Sequence, residues 1–206
     1  MAPVVAFRAA GKSSTLARQT RNLERWWRRS ERKILEQLDY YVGVKWRIEK
    51  VEVVLRQVRG RGHALDCEGE VEVGKPDVIT LYVGSKVRWT PGSLVVFVHE
   101  LVHCATMSRR DLRFAKPGIL ENWIYDELAA DLFAQHIIRR AGMRLKPDTL
   151  SSIEYAFLDV ARSIVRSRQH KEERVKLVKE IDKKLRKYLK AEKKNYYSFR
   201  KTLRSL

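Results

Sequence analysis

From Leu94 to Met107 the chain is apolar at almost every position, and the main interruptions are His99, Glu100 and His103. A helix that is hydrophobic all round has no solvent face, so this segment belongs in a core, packed against a sheet. Thr90 and Pro91 ahead of it form a helix-start signal: a side-chain oxygen at the N-cap, then a residue whose missing N–H costs nothing in the first turn. On that helix His99 and His103 stand one turn apart and project from one face, where both can hold the same metal ion. Glu100, beside the first imidazole, can reach a water on that metal without being a ligand. A single histidine on an apolar helix is usually a satisfied core residue, but three polar groups in one buried turn each need a partner. One cation satisfies all three, and with five histidines in 206 residues the spacing is seldom an accident.

The rest of the chain must enclose that helix, and 44% hydrophobic residues suffice for one domain of moderate size with an appendage. Leu23, Trp27, Ile34, Leu38 and Tyr41 recur at helical spacing and predict an N-terminal helix over 20–41, closed by Gly43. Trp26 and Trp27 lie among arginines and could stack bases, but aromatics at this period more often serve a core. From Val44 to Val58 the period becomes two, and it does so again over 64–73, where Glu68, Glu70 and Glu72 fall on one side. Val78 to Val83 is a short apolar strand between the turn at 74–77 and Gly84. Beyond the core helix the pattern predicts a basic loop at 109–118, a helix over about 120–140 ending at Gly142, another over 149–168, and a basic amphipathic helix over 171–193. These elements make an α+β protein: an N-terminal helix, a small mixed or antiparallel sheet, the buried helix, a second helix that can supply a ligand, and basic C-terminal helices. The expected division is a basic flexible tail over 1–19, a catalytic domain over 20–168, and a basic helix and tail over 169–206.

Charge bounds the partners. Lys and Arg number 43 against 25 acidic residues, and residues 162–206 hold 17 of the former and 5 of the latter. Such a terminus suits a polyanion such as nucleic acid, although a solvated charged helix has the same composition. No apolar run approaches the roughly 18 residues that span a bilayer, and no sustained apolar block stands at the N-terminus. Cys67 and Cys104 are too few for a disulfide framework and fit reduced thiols in a cytoplasmic protein, one that can associate with nucleic acid.

A catalytic zinc takes three protein ligands and keeps a fourth position for water, so two histidines are not enough. The next helix offers Glu121, Asp126, Glu127 and Asp131. Glu127 and Asp131 lie one turn apart, so Glu127 can bind the metal while Asp131 orients a ligating imidazole from behind. Glu121 near the helix start, Asp126 and His136 are the alternatives. With Glu127 to Asp131 beginning 24 residues after His103, the chain resembles the gluzincins, zinc metallopeptidases in which HExxH is followed by a Glu-x-x-x-Asp helix. The continuation Leu132-Phe133-Ala134 also resembles the ImmA/IrrE-like small intracellular peptidases. The resemblance covers residues 20–140 in element order and about ten residues in detail. It implies a zincin-like fold and an endopeptidase.

The function expected is zinc-dependent hydrolysis of a protein or peptide, with Zn²⁺ on His99, His103 and Glu127, Asp131 behind them, and Glu100 as general base toward a zinc-activated water. Tyr125, Tyr155, His63 and His136 are candidates for the oxyanion stabiliser, and 78–83 for an edge that holds substrate backbone. The competing expectation is a nucleic-acid-binding protein whose metal site is structural or degenerate.

Overall fold

The computed structural model describes residues 2–42, 46–58, 67–72, 74–84, 87, 89–107, 130–131, 133–145 and 183. Four strands form one mixed sheet in the order β1-β2-β4-β3: β1 is Val4–Ala9, β2 Lys50–Gln57, β3 Cys67–Val71 and β4 Val78–Val83. β1, β2 and β4 run parallel, and β3 is antiparallel on the β4 edge. Helix α1 (Ser14–Val42) joins β1 to β2, and α2 (Pro91–Met107) follows β4. A third helix, α3, covers 130–131 and 133–140. The architecture is α+β, as the pattern of elements predicts.

Alternation fixes which face of the sheet is covered. Val51, Val53 and Leu55 of β2, and Ile79, Leu81 and Val83 of β4, are buried toward the helices. On the other face, Arg8 of β1 pairs with Glu52 of β2 at 2.8 Å. α1 buries Leu16, Leu23, Trp27, Ile34, Leu35 and Leu38, a stripe at helical period, and keeps its arginines exposed. Trp27 therefore serves the core. α3 buries Ala130, Phe133, Ala134, Ile137 and Ile138, the i, i+3, i+4, i+7, i+8 pattern of a helix with one apolar face. It ends at Gly142, whose φ of 89° is left-handed; Met143 N–H donates to the Ile138 carbonyl at 3.2 Å and Gly142 N–H to that of Arg139 at 3.0 Å.

Several expectations need correction. Residues 1–19 are not a flexible tail, because β1 occupies Val4–Ala9 and α1 begins at Ser14. Val5, Phe7 and Ala9 alternate inward, and β1 gains its hydrogen bonds from a strand over forty residues away. Ser13 caps α1: its Oγ accepts from Leu16 N–H at 3.3 Å, which draws the start six residues ahead of the expected position 20. The strand expected from Val44 begins at Lys50, and the one expected over 64–73 is seen as Cys67–Val71, with 64–66 and 73 outside the described residues. β4 is not an edge, since it is paired on both sides, and β3 takes that place. The basic loop at 109–118, the first half of the helix expected over 120–140, the helix over 149–168 and, apart from the helical Lys183, the helix over 171–193 and the basic terminus lie outside the described residues, as does Gly43.

Candidate metal centre

α2 is held at its start and along its length. Thr90 and Ser93 cap each other reciprocally, with Ser93 N–H on Thr90 Oγ1 at 3.3 Å and Thr90 N–H on Ser93 Oγ at 2.9 Å. The segment leading into the helix is tied to α1: Gln19 Nε2 donates to the Val87 carbonyl at 2.8 Å, and Trp89 Nε1 to the Gln19 carbonyl at 3.0 Å. Two residues before the first histidine, Phe97 is wedged between Phe7 of β1 and Trp27 of α1, with ring centroids 5.8 and 5.3 Å away. These contacts fix the rotation of α2 about its axis, and hence where its polar turn points.

That turn is buried. His99, Glu100 and His103 are 9%, 5% and 4% exposed, and their ligand atoms lie within 4.8 Å of one another. The two Nε2 atoms face each other at 2.9 Å. On the far side of the first ring, His99 Nδ1 meets Asp131 Oδ1 of α3 at 2.7 Å. A carboxylate accepts only, so this bond places the His99 proton on Nδ1 and leaves Nε2 a lone pair directed at His103. Nitrogens sharing one tetrahedral zinc at about 2.05 Å stand about 3.3 Å apart, so a few tenths of an ångström of ring motion would convert the observed pair into a chelate. The donors fit a divalent cation: two convergent imidazoles, one with its tautomer fixed from behind.

Glu100 borders the pair without joining it. Its Oε1 is 4.0 Å from His99 Nε2, too far for a direct hydrogen bond and a span that one water crosses with two. On its other side it lies against β3, where a Cβ built on Gly69 would stand 2.6 Å from Glu100 Cγ and 2.7 Å from Oε1. The sequence reading passed over Gly69. The available signal was an isolated glycine inside an alternating strand, a common mark of close approach by another group. Burial, reinforced by the charges of Glu100 and Asp77, pushes the thiol of Cys104, next to His103, well above the ordinary range.

His99, Glu100, His103 and Asp131 are thus brought together from two helices, and among the described residues His99, Glu100 and His103 form a group that could hold a metal ion. Glu127, expected as the third ligand, lies outside the described residues, as do Glu121, Asp126, Tyr125, Tyr155 and His63. His136 is on α3 and half-buried; five residues past Asp131, it sits about 140° round the helix from the side that meets His99. Comparison of the chain with protein-family models, with curated proteins and with solved structures gives no match.

Proposed function

We propose that the protein is a zinc-dependent peptidase of gluzincin type, related in layout to the small ImmA/IrrE-like peptidases, and that its fold is zincin-like. The observation that carries this reading is the Asp131–His99–His103 arrangement. A half-buried carboxylate on one helix sets the proton of an imidazole on another, so that its Nε2 converges with a second imidazole one turn on. The element order supports it as well, with an active-site helix packed beside an antiparallel edge strand. His99 and His103 would hold the zinc, and Glu127, one turn before Asp131 in sequence, is the proposed third ligand. When bound, zinc supplies a water of lowered pKa and polarises a carbonyl.

The chain's own groups do the rest. Asp131 holds His99 in one tautomer and orientation. Glu100, at the distance of one water from His99 Nε2, accepts the proton of the attacking water and returns it to the leaving amine. β3, whose outer edge has no strand partner among the described residues, offers backbone groups to an extended peptide, the role first expected of 78–83. Replacing Glu100 with Gln removes the base while leaving both imidazoles. The zinc-loaded variant is expected to bind metal like the parent and to lose peptide hydrolysis. Turnover at the parent rate would refute the assigned base.

One observation favours a second activity alongside the first. Arg18, Arg21, Arg25 and Arg29 of α1 are exposed at intervals of three or four residues, and none forms an ion pair among the described residues, whereas Arg28 and Arg32 are matched by Glu24 and Glu36. With the basic terminus at 162–206, this ridge suits a nucleic-acid backbone. No described helix is long and apolar enough to cross a membrane.

A further inference from the structure

Gly69 sits in the middle of β3, paired with Leu81, on the side of the strand that also carries Cys67 and Val71 and meets α2. Glycine in a strand interior gives up about 0.5–1 kcal/mol of conformational entropy relative to alanine, so its presence calls for a reason. Backbone geometry is not that reason. The left-handed glycines of the described residues are Gly11, Gly74 and Gly142, and Gly69 is not among them, so an L-residue can adopt its conformation.

The reason is room for a single side chain. The three atoms nearest to a Cβ at position 69 are Glu100 Cγ at 2.6 Å, Oε1 at 2.7 Å and Cδ at 2.9 Å. All belong to one flexible side chain and none to backbone. Carbon atoms in contact prefer about 3.5–4.0 Å, so a methyl group here must displace something, and the easiest to move is the Glu100 carboxylate. We propose that Gly69 is a positioning residue: by lacking a side chain it gives the Glu100 carboxylate its seat between β3 and the imidazole pair. The inference rests on Glu100 being the base, and it assigns to β3 a part in setting that base as well as in flanking the substrate.

The consequence separates fold from chemistry. In G69A the three atoms met first all belong to Glu100, so the carboxylate is expected to be driven off its seat while the strand register and the His99–His103 pair are kept. If Gly69 served only general packing of strand against helix, an alanine would disturb the protein whatever residue stood at 100.

The test uses the full-length chain and four proteins: the parent, G69A, E100A and G69A/E100A. Metal-free melting temperatures are compared first. G69A is expected to lower Tm when Glu100 is present and to have little effect when position 100 is Ala; equal depression in both backgrounds would overturn the proposal. If G69A fails to fold while G69A/E100A folds, the contact is through Glu100 as proposed; failure of both to fold would overturn it. Zinc content should remain equal in parent and G69A. With a peptide substrate, kcat of G69A should fall by about 100-fold or more, the scale of a lost general base, with KM within about twofold of the parent. An unchanged kcat in a zinc-loaded G69A would also overturn it. Should the zinc-loaded parent itself fail to hydrolyse peptides, the peptidase reading falls, and the Tm comparison still decides whether Gly69 seats Glu100.

Discussion

A carboxylate 5% exposed has lost most of its water, and Glu100 is kept there beside two imidazoles and a strand with no side chain in its way. Burial at that level is costly for a charge unless the site gives it work or partners. Asp131 acts through His99, so D131A should leave the donors in place and weaken zinc binding by about 10–100-fold, measured by competition with a chelator. Loss of less than twofold would show that the Nδ1 bond does not prepare the ligand. A simpler electrostatic effect operates on the face of the sheet that carries Arg8 and Glu52. The Arg8 guanidinium holds the Glu52 carboxyl below its ordinary value, so the pair's contribution to stability is present above the unfolded pKa of about 4.3 and is lost as pH falls through the folded value. E52Q should therefore lie closer to the parent in Tm near pH 3 than near pH 7; the reverse order would contradict the pairing. At this scale the sequence was informative where chemistry dictates spacing. Asp131 was found because a carboxylate one turn from a candidate ligand has an evident role, and Gly69 was missed because what it provides is empty space, visible only once Glu100 is placed against it.

Among the elements, α2 was the most legible and the N-terminal strand the least. An apolar run with a Thr-Pro start signal has one reading, and the helix begins at Pro91 with Thr90 and Ser93 capping each other. β1 is six residues long and exists because β2 is beside it, so no local pattern announces it strongly. The same dependence on a distant partner hid the sheet order. Val78 to Val83 read correctly as a strand, but whether it was central or an edge is decided by β3 pairing back onto it. Two substitutions test how these elements are held. T90A removes the side-chain half of the α2 cap and should lower stability by about 1 kcal/mol in denaturant unfolding. Trp27→Ala takes a fully buried ring from beneath Phe97 and should cost about 3–5 kcal/mol. Trp27→Phe should cost clearly less, because the indole N–H has no hydrogen-bond partner to lose among the described residues; an equal loss from both would point to a partner for that group.

For the molecule as a whole, two features stand apart: a candidate metal site where two helices meet, and an excess of 18 positive charges. The charge was plain in the sequence. Its arrangement on α1, as a ridge of arginines without an ion pair among the described residues on the face away from the core, depends on which side the apolar stripe buries. Affinity for single- or double-stranded DNA should fall steeply and linearly in logarithmic coordinates as salt rises, and charge reversal at Arg18, Arg25 and Arg29 should flatten that slope. Binding that is indifferent to salt would remove the nucleic-acid reading and leave the metal centre untouched. On the proposed reading, His99 and His103 converge on one zinc ion. Anomalous diffraction at the zinc edge, from crystals grown with excess zinc, tests it directly. A single peak is predicted within bonding distance of both Nε2 atoms, with Asp131 still on His99 Nδ1 and the carboxylate of Glu127 as the third ligand. A zinc-replete crystal with no peak between the two imidazoles would contradict the account.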